Sequence, residues 1–417
     1  MGHFTRRAFA AVAVAGLSGT LGSSGAAARQ EEAHPRSSWP PPAGGGGGRR
    51  FPMRGMWIAT VENIDWPRAT GLDAATQRRQ LTALLDTAVQ RRLNTVMLQV
   101  RPTADALWPS RYEPWSAWLT GVQGRSPGWD PLGFAVREAH ARGLALHAWC
   151  NPYRVANHDD PTRLSEEHPA RRRPDWVVPY GGKLYYNPGL PDVRRFVQDA
   201  MFDAVERYDV DGLHWDDYFY PYPVAGESFD DDAAYRAHGG GFGSRAAWRR
   251  ANVDLLVREA GERLRRSRPG VRFGVSPFAV WRNRETDPEG SDTRAGVQTY
   301  DDLHADTRGW VRNRLIDYIV PQVYWNLGFP AADYATLVPW WDEVCRGTGV
   351  ELYIGEALYK VGTAGQPEAW HDPEELSRHL TFCRDHPRVK GHVFYSAKHV
   401  AADPLGAMSR VVGDHYR

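Results

Sequence analysis

The sequence predicts an α/β fold, a single (β/α)8 TIM barrel over residues 51–417. Three observations lead there. Eight short apolar runs alternate with eight helical patterns, the order of a parallel sheet wrapped by helices. The runs are apolar almost throughout, as strands covered on both faces must be. No Gly-x-Gly-x-x-Gly follows any of them, which weakens the rival open, doubly wound sheet. With 417 residues, 42% of them hydrophobic, the chain can build a large core, as one barrel or as two domains.

The expected strands are Met53–Thr60, Thr95–Val100, Ala145–Asn151, Gly212–Tyr218, Phe273–Phe278, Tyr318–Trp325, Leu352–Tyr359 and Gly391–Ala397. Between the first two, Leu81, Leu84, Leu85 and Ala88 follow the i, i+3, i+4, i+7 spacing of a helix. Val193, Phe196, Val197, Ala200 and Ala204 repeat that spacing before the fourth strand. Other helices are expected over Leu132–Arg142, Arg245–Arg268, Tyr300–Arg314, Ala332–Arg346, Pro373–His386 and Leu405–Tyr416. Gly143 stands where a C-cap glycine belongs. The connections after the second, third and fourth strands are long: Arg101–Gly128, Pro152–Pro188 and Phe219–Gly243. Structureless loops of that length usually serve function.

Residues 1–28 read as a targeting segment. Thr5-Arg6-Arg7-Ala8-Phe9 resembles a twin-arginine signal, followed by the mild apolar run Ala10–Leu17 and Ala26-Ala27-Ala28, a cleavage-type site. The run is too short and too rich in Gly and Ala to span a membrane. Residues 29–50, with Pro40–Pro42 and Gly44–Gly48, are expected to be a disordered linker. An exported protein, secreted or in the cell envelope, follows from this. The net charge of +1 supplies no field for nucleic acid or an anionic membrane, and a monomer is expected. Cys150, Cys345 and Cys383 form no CxxC or Cys/His cluster, so no metal site or cofactor is expected. Cys345 and Cys383 can pair only if they are neighbours in space.

The richest stretch is Asp211-Gly-Leu-His-Trp-Asp-Asp-Tyr-Phe219 at the end of the fourth strand. In a parallel barrel, chemistry is done at the carboxyl ends of strands. Alternation puts His214 and Asp216 on one face, toward the barrel axis, and Leu213, Trp215 and Asp217 on the other. The alternative is an Asp pair capping the next helix. Glycosidic cleavage needs two carboxyl groups, one to donate a proton and one to act as nucleophile or to activate water. Adjacent strand residues point apart, so a partner from another loop is expected. Glu356 after the seventh strand, Glu113 and Asp105 after the second are the candidates, each equally a salt-bridge partner for a nearby Arg.

With 17 Trp and 12% aromatic residues, the strand-end loops are rich in flat rings. Trp108, Trp115, Trp118, Tyr153, Phe219, Tyr220, Trp281 and Trp325 are candidate sugar platforms, and each is equally a packing residue. Gln322 and Tyr324 share a face of the sixth strand and could hydrogen-bond a sugar. Arg101 and Arg154 end strands and could bind acetamido or lactyl oxygens through their planar forks. His147 and His214 could face the same ligand.

Several motifs in order carry a family resemblance: Met53-Arg-Gly-Met-Trp-Ile-Ala59, Gln99-Val-Arg-Pro102, Glu113-Pro-Trp-Ser116, Asp130-Pro-Leu132, His147-Ala-Trp149, Asn151-Pro-Tyr-Arg154, Asp211–Pro221, Ser276-Pro-Phe278 and Pro321-Gln-Val-Tyr-Trp325. Together they resemble the glycosyl hydrolase-like 10 family, from about Met53 to the last strand. The resemblance implies a TIM barrel in exported bacterial proteins, with glycoside hydrolysis of cell-wall glycan. A more distant likeness is to the family 18 chitinases. Asp211, Gly212 and Asp216 match their fourth-strand motif, but His214 replaces its second acid and Tyr218 its proton-donating glutamate. The acid would then come from Asp217, Glu113 or Glu356; the expected assignment is Asp216 as nucleophile or base, with Glu356, then Glu113, as the acid. The rival class is a glycan-binding barrel that has lost catalysis.

Overall fold

The computed structural model describes residues 52–416; the targeting segment and linker expected over residues 1–50 lie outside them. In chain order the strands are β1 (Met53–Ile58), β2 (Thr95–Arg101), β3 (Ala145–Cys150), β4 (Arg154–Ala156), β5 (Val177–Tyr180), β6 (Lys183–Tyr186), β7 (Gly212–Trp215), β8 (Arg272–Val275), β9 (Tyr318–Ile319), β10 (Glu351–Glu356) and β11 (Val389–Phe394). Eight of them close into a parallel barrel in the order β1-β11-β10-β9-β8-β7-β3-β2. Each expected strand is present. Several end early for a stated reason. Pro277 and Pro321 have no N–H for a ladder, so β8 stops at Val275 and β9 at Ile319. Beyond them only the isolated bridges Phe278 with Gln322 and Gln322 with Gly355 continue the pairing.

Helices at Ala74–Gln90, Pro131–His140, Pro191–Arg207, Arg245–Ser267, Thr307–Arg312, Tyr334–Cys345, Glu375–Cys383 and Ala407–His415 surround the barrel. Their starts are capped as the sequence dictates: the Asp73 carboxylate accepts from Thr76 N–H and that of Asp130 from Gly133 N–H. The helix expected over Tyr300–Arg314 is only the six residues Thr307–Arg312.

The strand interior is filled by Met53, Trp57, Met97, Trp149, Tyr318, Tyr353 and Val393, while a larger apolar layer lies between strands and helices. The Tyr318 hydroxyl hydrogen-bonds with His147 Nδ1 at 2.7 Å and His214 Nδ1 at 3.1 Å. Two glycines make room for these rings. A Cβ on Gly212 would sit 2.5 Å from the His147 ring, and one on Gly274 2.1 Å from the Tyr318 ring.

The connection after β3 is not structureless as expected. It folds into an antiparallel sheet of order β4-β6-β5. Cys150, Cys345 and Cys383 are all buried and free, so Cys345 and Cys383 do not pair.

Candidate active site

Strand β7 ends at Trp215, and the next two residues are acids. His214 faces inward, where it hydrogen-bonds with Trp57 Nε1 at 3.1 Å and Ser276 Oγ at 2.9 Å. Trp215 faces outward onto Phe273, with ring centroids 4.7 Å apart. Asp216 meets the inward-facing Trp149: the indole Nε1 donates to its Oδ2 at 3.1 Å. Asn151 Nδ2 reaches both carboxylate oxygens at 3.2 Å. Burial, then the charge of Asp217, push the Asp216 carboxyl up to about 7, against the pull of Arg154 and the Trp149 hydrogen bond. Asp217 is buried beside it and accepts a hydrogen bond from the Tyr222 hydroxyl.

Arg154 opens β4 and closes one side of this pair. Its guanidinium donates to Pro102 O at 3.1 and 3.3 Å and lies 4.7 Å from the centre of the Tyr218 ring. Its backbone N–H donates to Asn151 Oδ1 at 2.9 Å, so Asn151 bridges the small sheet to Asp216.

Just past the carboxyl ends of β7 to β11 stand seven half-buried rings: Tyr218, Tyr222, Phe278, Tyr324, Trp325, Tyr359 and Tyr395. They contact in two groups. Tyr218 meets Tyr222 at 5.8 Å, Tyr222 meets Phe278 at 6.2 Å, and Phe278 meets Trp325 at 5.4 Å. Tyr324 meets Tyr359 at 5.8 Å and Tyr395 at 6.3 Å, and Tyr395 reaches Trp57 at 6.2 Å. Half-exposed rings beside a carboxyl pair suit the flat apolar face of a sugar. Of the expected site residues, this brings together Asp216, Asp217, Asn151, Arg154, Tyr324 and Trp325. Gln322 stands nearby, half-buried, and donates to Ser276 O at 2.8 Å.

The remaining expected residues lie elsewhere. Glu356 is turned away from the barrel axis, because its neighbour Gly355 is the residue facing Trp57. It sits in the helix layer, accepting from Tyr334 OH at 2.7 Å and hydrogen-bonding with His379 and His392 Nδ1, each at 2.9 Å. Burial raises this acid, but His379 and His392 outweigh burial and hold it at about 2. Such a carboxylate does not donate a proton at neutral pH. Glu113 forms a buried two-pronged pair with Arg101, at 2.7 and 2.5 Å. Arg101 also donates to the Asn151 and Pro152 carbonyl oxygens, so it anchors the chain after β3 and does not reach for a ligand. Asp105 is buried and pushed up to about 6 by that burial, with Thr103 and Ser116 opposing.

His147 and His214 belong to the barrel floor, where burial lowers His147 to about 4 and holds His214 well below the usual imidazole range. Tyr153 is wholly buried with its hydroxyl unpartnered. Phe219 packs on Trp310 at 5.0 Å and Tyr220 on Phe229 at 5.2 Å, both in the outer layer. Trp281 stacks on Trp340 and donates to Asp306 at 2.8 Å. Trp108 is buried and donates to Asp203 at 2.8 Å. Trp115 and Trp118 are half-buried in the β2 loop, and Trp118 donates to Thr103 Oγ1 at 3.3 Å. Tyr153, Phe219, Tyr220, Trp281 and Trp108 are packing and anchoring groups, while Trp115 and Trp118 stay half-buried.

Sequence reasoning missed Trp57, Trp149, Tyr222, Phe278, Tyr359 and Tyr395, and treated Tyr218 only as a lost acid. The available signal was position: most of these rings stand within four residues of a strand's carboxyl end.

The family model for Glycosyl hydrolase-like 10 matches residues 52–372, which stops short of β11. The chain is 48% identical over 366 residues to Glycosyl hydrolase YngK of Bacillus subtilis, covering 87% of this chain and 72% of that protein. It is 41% identical over 364 residues to Glycosyl hydrolase DigH of Escherichia coli K12, covering 82% of each. Among solved structures, the PgaB glycoside hydrolase domain of Bordetella bronchiseptica aligns with a TM-score of 0.53 at 14% identity, over 88% of this chain and all of that one. Alpha-L-fucosidase isoenzyme 2 of Paenibacillus thiaminolyticus aligns with a TM-score of 0.54 at 12% identity, over 87% of this chain and 49% of that one. At such identities these two speak for the barrel alone. By its sequence match the chain belongs to the glycosyl hydrolase-like 10 family, and its class is glycoside hydrolase.

Proposed function

We propose that this glycoside hydrolase is exported by the twin-arginine route and cleaves N-acetylated, peptidoglycan-type glycan strands, with Asp216 and Asp217 as its acid pair. The observation carrying this reading is Asp216: a buried carboxyl at a strand end, raised to about 7 beside a second acid and faced by a run of rings. A proton-transfer group works best with a pKa near the working pH. Asp216 donates its proton to the leaving glycosidic oxygen as the C1–O bond breaks. Now ionised, it takes a proton from the water that attacks C1. Asp217 offsets the positive charge that develops on the ring. Arg154 positions acetamido or lactyl oxygens, and the rings hold successive sugars.

The substrate is tested with a panel of peptide-free peptidoglycan strands, chitin oligomers, starch and cellulose, against wild type and Asp216→Asn. Release of muramyl fragments by the wild type alone is expected. Binding without release by both proteins would mean a non-catalytic glycan-binding barrel. Activity on α-glucan alone would overturn the substrate. Replacing Arg6 and Arg7 by Lys is expected to trap precursor in the cytoplasm, and unchanged secretion would overturn the export route.

A further inference from the structure

The end of the barrel opposite the active site holds a second group of polar residues that the hydrolysis does not use. A cavity of about 230 Å³ opens there, between the amino ends of β1 and β11 and the helices Glu375–Cys383 and Ala407–His415. Arg54, Arg384, Lys390, His392, His415 and Tyr416 line it, and among the described residues no acid does.

The cationic and donor groups there are not used up. Met53 packs into the barrel interior, so Arg54, next along β1, points outward to the cavity. Its guanidinium lies 5.3 Å from the Tyr416 ring centre, and its Nε is buried with no hydrogen-bond partner. Tyr416 is 7% exposed, and its hydroxyl is likewise buried and unpartnered. His392 commits Nδ1 to Glu356, which leaves the other edge of its ring for the cavity. Arg384 donates to Asp414 O and contacts His415 Nδ1, which fixes it in place without neutralising it. Lys390 donates to Pro387 O at the rim.

We propose that this cavity binds a small oxyanion, phosphate or carboxylate in chemistry. Three arginine or lysine cations line the cavity with His392 and the Tyr416 hydroxyl, His415 being already committed to Arg384 and Ser377, and among the described residues no carboxylate lines it to compensate them. Buried donors without acceptors are costly, and an oxyanion accepts from several at once. The planar fork of Arg54 matches two oxygens of such a group. Glu356, behind His392, does not repel it strongly, since His379 and His392 already hold that charge.

The test is titration calorimetry of the full chain with inorganic phosphate at constant ionic strength, with acetate as the carboxylate arm and chloride as control. Saturable binding of phosphate or acetate is expected, with none for chloride. Arg54→Gln should weaken it tenfold or more, while glycan hydrolysis stays at the wild-type rate. Should Arg54→Gln fail to fold, Arg384→Gln and the rim variant Lys390→Gln are each expected to weaken binding severalfold. Absence of saturable binding by the wild type would overturn the proposal. So would equal affinity in the folded variants, since excluded salts stabilise any compact protein without a site.

Discussion

Asp216 and Glu356 show how one residue type is driven in opposite directions by what surrounds it. Asp216 is buried beside a like charge and rises to about 7, whereas Glu356 is buried among histidines and falls to about 2. The consequences are separable. Asp216→Asn should lower kcat by about 10²–10⁴-fold, the range for a lost proton-transfer group. Its folded pKa stands above the unfolded value of 3.8. The stability it contributes is therefore full at low pH and lost as the pH rises through about 7. The variant should thus gain on wild type by about 1–3 kcal/mol between mildly acid and mildly alkaline melts.

Glu356→Gln should instead cost about 3–5 kcal/mol of stability, as a broken buried pair does, with kcat per folded molecule unchanged. Its depressed pKa gives stability that is present above its unfolded pKa and lost as the pH falls toward about 2. His379, raised by its partners against burial, works the other way: its contribution is full below the unfolded value of 6.5 and lost on passing its folded pKa. Chemical denaturation across pH should find that the difference between wild type and Glu356→Gln is greatest in mildly acid solution. A large fall in kcat for the folded variant would return Glu356 to the catalytic set. Both acids were visible in the sequence. Their directions were not, because each depends on which strand neighbour faces the axis, and one glycine, Gly355, decides it for Glu356.

At the level of elements, the eight barrel strands were legible because a strand covered on both faces must be apolar along its length. Their ends were less so, since Pro277 and Pro321 stop the ladder inside continuing apolar runs. The sheet β4-β6-β5 went unread, although Gly181-Gly182, at φ of 57° and 68°, is a two-residue hairpin signal between Tyr180 and Lys183. It matters for function, because β4 carries Arg154 to the acid pair. The barrel strands also set tight limits on volume. Gly274→Ala would drive a Cβ into the Tyr318 ring. It should lose about 1–3 kcal/mol in urea melts, the usual range for overpacking. A neutral result would mean that the interior rings have room to move. The rings at the strand ends should act on binding: Tyr359→Ala is expected to raise KM severalfold with kcat nearly kept, and a selective loss of kcat would argue against a platform role.

Over the whole molecule, the barrel separates chemistry from support. The carboxyl ends of the strands carry the acid pair and its rings, the helix layer holds the Glu356 charge network, and the amino ends frame the cationic cavity. The family match rests on residues 52–372 and the closed barrel on strands from β1 to β11, while the proposed catalysis rests on two adjacent residues and the field between them. That coupling is directly measurable. The decisive experiment is the pH dependence of kcat/KM on peptide-free peptidoglycan strands for wild type and Asp217→Asn. The account predicts a wild-type rate that falls as the pH rises above about 7, where Asp216 loses its proton. In Asp217→Asn the repelling charge is gone, so the residual activity should fall at a lower pH. An alkaline limb that does not move between the two proteins would contradict the assignment of the proton to Asp216.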